Sequence, residues 1–247
     1  MRAVHMALRV MEGVASFQPI GASELARRLS LSKTTVHRSL MSLAAAGWIE
    51  PADSIRRGWT LSMHALVVGG HAVESLGGLR SIAIPVMEEL RRESEETIHL
   101  LVRYRDTVVL IERLDGIRPV RVFNPLGGRA RLHRTASGKA ILAHLPQAEV
   151  DAYLKGLAGH SGKAQAKALA SEVAQAAKRG FAVNHGENQP GVSAVGAAIL
   201  DGDGFALAAI TISAPSERLP ASLLTSRSAL VKDAARRISL GLRVRGA

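Results

Sequence analysis

Several catalytic motifs occur in the sequence, but only in part. Gly138-Lys139 is similar to the end of a phosphate-binding P-loop, yet His133 replaces the upstream glycine and Ala140 replaces the Ser or Thr. The segment 30–33 has the Ser-x-x-Lys spacing of β-lactamases without its companion motifs, and the segment 191–195 lacks the last glycine of a nucleophile elbow. We therefore predict no catalytic residues and no enzyme.

The sequence offers no evident set of metal ligands. It contains no cysteine, which excludes disulfides, thiolate zinc sites and cysteine nucleophiles. His133, His144, His160 and His185 are scattered, and none has the i, i+4 spacing of a helical metal pair. Hydrogen-bonded surface histidines are the simpler interpretation, so neither a metal nor a cofactor is predicted.

Two groups of small polar residues have a pattern that suits ligand binding. The segment 135–138, Thr-Ala-Ser-Gly, stands at a predicted helix start, where free N–H groups and the helix dipole favour a carboxylate or other anion. Thr211 and Ser213 alternate along an otherwise apolar strand, so both hydroxyls point to one side. These hydroxyls either bond the nearby backbone or face a ligand cavity, and the residues alone leave both options open.

A helix-turn-helix is predicted close to the N-terminus. A short helix ending at Leu29 is followed by a turn of three residues and a second helix over 33–46. In that second helix Val36, Leu40 and Leu43 share one face. The opposite face carries short hydroxyls and cations, which suit contacts with phosphates and base edges.

A basic hairpin is predicted after these helices, with strands at 48–50 and 59–61 and two arginines at its tip, as in a DNA-binding wing. The residues predicted to contact DNA are Ser32, Lys33, Thr34, Thr35, His37, Arg38, Ser42, Arg56 and Arg57. No acidic residue occurs from Leu25 to Ile49, and the whole chain of 247 residues has a formal charge of +11. This charge favours an anionic partner, which nucleic acid, an anionic membrane or an acidic ligand would equally satisfy.

The remaining chain predicts a larger second domain. We place the DNA-binding domain at 1–61, a linker helix at 62–78 and the second domain at 79–247. In the second domain a helix precedes three strands, at Thr97–Val102, Thr107–Arg113 and Val120–Phe123, and helices, strands and a last helix follow. This order predicts an α/β (α+β) fold in which helices flank a mixed sheet.

Long segments of the sequence resemble the isocitrate-lyase-regulator (IclR) family. They are LARRLSLSKTTVHRSLMSLAAAGWIE, RRGWTLS, GGRARLHRTASGKAILAHLP, RGFAVNHGENQPGVSAVGAAILDGDG and AAITISAPSERL, and they occur in the family's order and spacing. The resemblance implies an N-terminal winged helix-turn-helix and a C-terminal GAF-like domain that binds a small effector. It covers nearly the whole chain.

The resemblance also implies which positions contact the effector: Ala136, Ser137, Asn184, Ala194, Thr211 and Ser213. Two of them depart from the pattern for small α-keto acids, because Asn184 replaces a carboxylate and Ala194 replaces a thiol. We therefore expect an aromatic acid or a related catabolic intermediate in preference to glyoxylate or pyruvate.

The sequence thus predicts a DNA-binding transcription regulator, either repressor or activator, that acts in the cytoplasm. The expected partners are double-stranded DNA with a near-palindromic operator, a small carboxylate effector and further copies of the chain, as a homodimer or a tetramer of two dimers. No apolar run is long enough to span a membrane. Two alternatives remain open: an enzyme with a basic N-terminal domain, and a DNA binder that senses nothing.

Overall fold

The computed structural model describes residues 2–53, 58–74 and 78–246. The chain divides into two units, Met1–Ser75 and Leu76–Ala247. The division falls within the segment 62–78 that the sequence suggested as a linker helix. Arg56 and Arg57, predicted at the tip of the wing, lie outside the described residues. Among the described helices, none combines the length and apolar character that crossing a bilayer requires.

The first unit is built from short helices and a small hairpin. Its elements are α1 (Arg2–Phe17), α2 (Ala22–Leu29), α3 (Lys33–Ala45), β1 (Ile49–Pro51), β2 (Trp59–Leu61) and α4 (Met63–Glu74). Val14, Leu25 and Leu40 are fully buried where the first three helices meet. The predicted helix-turn-helix and wing strands are therefore present, with bounds shifted by one residue or so.

Two local features fix the turn and the wing. Ser30 ends α2 in the left-handed conformation, with φ of 54°, so that the chain reverses within three residues before α3 begins. Gly58 precedes β2 with φ of 142°, and a Cβ there would lie 2.9 Å from backbone atoms of Ile20. Because only glycine permits this approach, Ile20 pairs with Trp59 and joins the edge of the hairpin.

The second unit has a six-stranded sheet between two helical layers. Its elements are α5 (Leu79–Ser94), β3 (Thr97–Tyr104), β4 (Thr107–Leu114), β5 (Arg129–Arg131), α6 (Ala136–Leu142), α7 (Gln147–Ser161), α8 (Lys163–Arg179), β6 (Ala182–His185), β7 (Val192–Leu200), β8 (Ala206–Pro215) and α9 (Ala221–Gly246). The strand order is β5-β4-β3-β8-β7-β6. Helices α5 and α9 cover one face, and α6, α7 and α8 cover the other.

The fold class is confirmed, while two details of the predicted sheet are wrong. Among the described strands of this sheet every pairing is antiparallel, so the sheet is not mixed; short turns join three of the pairs, β3 to β4, β6 to β7 and β7 to β8. The expected strand Val120–Phe123 is an irregular segment. In a half-buried strand, Val120 and Val122 would lie on the same face and be buried alike. Here Val122 is buried, whereas Val120 and Phe123 are 70% and 63% exposed. Thr97 and Arg218 hold its carbonyl groups through side chains instead of a neighbouring strand.

Candidate nucleic-acid interface and ligand cavity

One face of α3 is polar and open to solvent. Val36, Leu40 and Leu43 are buried against the first unit's core, as their spacing predicted. The helix therefore turns its other side outward, and the exposed residues of α3 are Lys33, Thr34, His37, Arg38, Met41, Ser42 and Ala45. An exposed second helix of this kind has the geometry that a major groove accepts.

The cations of this face are available to an external anion. Within the described part of the chain, neither Lys33 nor Arg38 is paired with a carboxylate, whereas Arg28 on α2 pairs with Glu24 at 2.8 Å. An unpaired exposed cation keeps its attraction for phosphate, since no internal partner competes for it. The positive charge on α3 is thus directed outward.

Three predicted hydroxyl residues also make local bonds. Ser32 caps α3, because its Oγ accepts the Thr35 N–H at 3.2 Å and lies 2.8 Å from Thr35 Oγ1. Ser42 Oγ donates to the Arg38 carbonyl at 3.0 Å. Ser32 and Thr35 therefore define where the helix begins, and Thr35 is the half-buried member of the set.

A cavity of about 280 Å³ lies in the second unit, between the sheet and the start of α6. It brings together all six residues that the resemblance assigned to the effector: Ala136, Ser137, Asn184, Ala194, Thr211 and Ser213. The other lining residues are His99, Leu101, Leu110, Asn124, Pro125, Gly128, Arg129, Ala130, Thr135, Asn188, Gln189 and Val192. Within the described residues, no group of three or more His, Asp or Glu side chains is placed to hold a metal ion.

The side of the cavity formed by the sheet, which we call its floor, carries polar side chains whose positions are set by the register of the strands. Asn184, Ala194 and Ser213 are direct neighbours across β6, β7 and β8, so their side chains share one face. The next row contains Gly196 and Thr211. A Cβ on Gly196 would lie 2.7 Å from Thr211 Cγ2 and 3.3 Å from the Ala136 carbonyl carbon. The missing side chain therefore lets the start of α6 approach the sheet.

The start of α6 presents unpaired backbone donors to this space. Thr135 caps the helix, since its Oγ1 accepts the Gly138 N–H at 3.0 Å and its carbonyl accepts the Lys139 N–H at 3.0 Å. The N–H groups of Ala136 and Ser137 lie in the first turn of the helix, where no earlier carbonyl of the same helix can accept their hydrogens. A ligand oxygen is the natural partner for such donors.

The side-chain amide of Asn184 lines the cavity, and both its nitrogen and its oxygen already make a hydrogen bond within the protein. Its Nδ2 donates to the Arg134 carbonyl, and its Oδ1 accepts the Gly186 N–H at 3.2 Å. A carboxylate has no hydrogen to give to that carbonyl. The departure from the family pattern at this position therefore changes how the neighbouring loop is held, as well as the charge of the cavity.

His99 is a cavity residue that the sequence analysis missed. It is 3% exposed, and its Nδ1 lies 3.0 Å from Ser213 Oγ, which is in turn 3.4 Å from Thr211 Oγ1. Burial, followed by the charge of Arg113, lowers the pKa of His99 to about 4, so the imidazole is neutral at pH 7. A single histidine within the apolar segment TIHLLV was the available signal.

The cavity wall suits an acid with an apolar body. No aspartate or glutamate is among its lining residues. Leu101 and Leu110, which lie on the same face of the sheet as the hydroxyls of Thr211 and Ser213, supply apolar surface together with Pro125. Arg129 lines the edge, with its guanidinium stacked 5.0 Å from the centre of the Tyr104 ring. Small ligands are commonly bound in this way, by apolar walls and a few convergent polar groups.

Comparison with known proteins gives matches over both units. Residues 4–53 match the description "IclR helix-turn-helix domain", and residues 71–240 match "Bacterial transcriptional regulator IclR C-terminal". The HTH-type transcriptional regulator BhcR of Paracoccus denitrificans is 31% identical over 245 residues, which cover 98% of this chain and 87% of that protein. The transcriptional repressor IclR of Escherichia coli is 29% identical over 240 residues, with coverages of 94% and 87%.

Solved structures share the fold over nearly all of this chain. The IclR of Thermotoga maritima superposes with a TM-score of 0.75 at 25% identity, covering 98% of this chain and 99% of its own. An IclR homologue from Microbacterium hydrocarbonoxydans, solved in complex with 4-hydroxybenzoate, gives a TM-score of 0.79 at 23% identity, with coverages of 98% and 99%.

Proposed function

Because the chain belongs to the IclR family of DNA-binding transcription regulators, we propose that an organic acid binds in the cavity of its second unit and changes its affinity for operator DNA. The observation that carries the proposal is the cavity itself, where six residues from four separate segments meet beside free backbone N–H groups. The resemblance to the family is confirmed. The prediction of a regulator rather than an enzyme is confirmed as well, since the relatives are transcriptional regulators.

The ligand we propose is an aromatic acid or a related catabolic intermediate. Its carboxylate accepts hydrogen bonds from the N–H groups of Ala136 and Ser137, and its ring lies against Leu101 and Leu110. A neutral Asn184 in place of a carboxylate favours an acid of any kind, because it removes a charge that would repel an anion, and the apolar lining residues Leu101 and Leu110 support an aromatic body. The Microbacterium homologue, solved in complex with 4-hydroxybenzoate, supports the choice of an acid of this class.

The DNA contact we propose is made by α3 in the major groove of a near-palindromic operator. A two-fold dimer would place two copies of α3 on successive half-sites. Exposed apolar side chains on α4 support a dimer, because Leu66 and Val67 are 64% and 57% exposed in the single chain. Ligand binding alters DNA affinity only if the ligand favours one arrangement of the dimer over another.

A binding experiment tests the ligand. The full chain is titrated calorimetrically with benzoate, 4-hydroxybenzoate, glyoxylate and pyruvate. We expect the aromatic acids to bind, and a ligand at 100 times its Kd to stabilise the protein by about 2.7 kcal/mol. Thr211→Val should weaken binding, whereas Thr225→Val, at an exposed position on α9, should not. Binding of glyoxylate or pyruvate alone would contradict the aromatic assignment.

A second experiment tests the DNA interface. Operator sequences are selected from a random duplex library with the full chain, and affinities are then measured by gel shift. Arg38→Ala should weaken binding by roughly 1–3 kcal/mol if the side chain contacts a base. Arg92→Ala, which removes an exposed arginine from α5, is the control. Affinity should also fall by about 10³-fold or more between 50 and 200 mM salt if six or so phosphates are contacted. Equal affinity of wild type and Arg38→Ala would refute the assignment of Arg38.

A further inference from the structure

A short, mostly exposed loop, residues 186–191, contributes to the wall of the cavity. Asn188 and Gln189 line the cavity from this loop, while their outer surfaces are exposed. The Gln189 carbonyl accepts the Val192 N–H at 3.1 Å, and the Gly191 carbonyl accepts the Ser216 N–H at 2.9 Å. These bonds fasten the end of the loop that leads into β7.

At the other end, Asn184 Oδ1 accepts the Gly186 N–H at 3.2 Å, and Glu187 makes further bonds. Its Oε2 accepts the His185 N–H at 2.8 Å, and its carbonyl accepts the Arg134 Nε–H at 2.6 Å. Its Oε1 lies 2.8 Å from Lys139 Nζ. Glu187 therefore connects the loop to β6, to the segment before α6 and to α6 itself.

Lys139 is an unusual partner, because its side chain is 4% exposed in the middle of α6. Its Nζ also lies 2.6 Å from a carboxylate oxygen of Glu172 on α8 and 3.2 Å from the Val183 carbonyl. A buried ammonium needs such partners, since removing it from water is otherwise strongly unfavourable. The ammonium consequently holds two carboxylates, one on the helical layer and one on the cavity loop.

We propose that Glu187 is a positioning residue of the ligand site, which through its ion pair with Lys139 holds Asn188 and Gln189 against the bound acid. The inference rests on the proposed function, because it requires a ligand in this cavity. It adds a role for a residue that does not line the cavity. Loss of the Glu187 carboxylate should let the loop move away from the cavity and speed release of the ligand.

Glu172 provides a matched control for this proposal. Both carboxylates contact the same ammonium, and their side chains are similarly exposed, at 44% for Glu172 and 40% for Glu187. Glu172→Gln and Glu187→Gln each leave Lys139 one carboxylate. Only Glu187→Gln changes the cavity loop, so a general loss of stability would affect the two variants alike.

The test measures binding of 4-hydroxybenzoate and benzoate to the full chain by calorimetry and stopped-flow fluorescence. We expect Glu187→Gln to raise Kd about tenfold, mainly through faster dissociation. Glu172→Gln should leave Kd within about twofold of wild type. Hydrogen exchange of the ligand-free proteins should show faster exchange of the His185 and Val192 amides in Glu187→Gln only.

Equal losses of affinity in the two variants, or unchanged exchange at both amides in Glu187→Gln, would overturn the positioning role while leaving the ligand site intact. Failure of wild type to bind either acid would overturn the proposed function, and the positioning role with it. Because the exchange measurement uses no ligand, it separates these two failures.

Discussion

The buried His99 makes the stability of the second unit depend on pH. Its pKa is lowered to about 4 in the folded protein, against about 6.5 in an unfolded chain. Burial is the main cause, and the nearby charge of Arg113 adds to it while Asp115 opposes it. Since the unfolded chain takes up the proton first, stability is constant above pH 6.5, falls as the pH drops towards 4, and levels off below that.

The magnitude follows from the two pKa values. A difference of about 2.5 units corresponds to about 3 kcal/mol in total, of which about 2 kcal/mol is lost between pH 8 and pH 5. For a protein of this size, that loss lowers Tm by about 4–8 °C. The variant His99→Gln keeps a polar side chain beside Ser213 but does not titrate, so this part of the pH dependence should disappear.

The assay compares Tm of wild type and His99→Gln at pH 8 and pH 5 by scanning calorimetry. The other histidines contribute equally to both proteins and cancel in the difference. The fall in Tm on acidification should be smaller in the variant by about 4–8 °C. If the two proteins lose the same number of degrees, the imidazole is not held neutral by burial and the description of the cavity floor is wrong.

Three further substitutions test other parts of the structure. Gly58→Ala should destabilise the first unit by about 1–3 kcal/mol, because its Cβ would lie 2.9 Å from backbone atoms of Ile20 at a φ of 142°; an unchanged melting transition would contradict this. Asn184→Asp, which also removes the amide that donates to the Arg134 carbonyl, should weaken binding of benzoate about tenfold more than binding of benzamide, because benzamide has no charge for the new carboxylate to repel; equal effects on both would refute the electrostatic argument. Lys139→Met should reduce thermal stability by only about 1–3 kcal/mol, because the carboxylates it leaves behind remain partly hydrated; a loss of 3–5 kcal/mol would indicate an unpaired buried charge.

Features that repeat within one element could be predicted from the sequence. The spacing of Val36, Leu40 and Leu43 assigns the buried face of α3 and therefore its exposed face. The alternation of Thr211 and Ser213 likewise places two hydroxyls on one side of β8. Both predictions rest on the geometry of a single helix or strand, and that geometry depends little on the rest of the fold.

The same alternation was misleading for the segment 120–123. A strand needs a neighbouring strand for its backbone groups, and local sequence does not show whether one is present. Here Thr97 Oγ1 donates to the Val122 carbonyl, and the Arg218 guanidinium donates to the Val120 carbonyl. Those two donors come from residues far along the chain in both directions. The alternating pattern therefore predicted neither the exposure of Val120 nor the irregular structure of the segment.

Contacts in and around the cavity join residues that are far apart in the sequence, and these contacts could not be predicted from the residues alone. His99 faces Thr211 because β3 pairs with β8, and its bond to Ser213 joins residues 114 positions apart. Glu187 meets Lys139 across 48 positions. Neither pair shares a helix face or a strand: the sheet order brings His99 to Ser213, and the packing of α6 against the sheet brings Lys139 to Glu187. The resemblance identified six cavity positions because it carries that order implicitly, but it gave no reason to single out His99 or Glu187. These two residues follow from the hydrogen bonds and burial of this chain, and the binding experiment with Glu187→Gln is the one that distinguishes a ligand site from an ordinary gap in the packing.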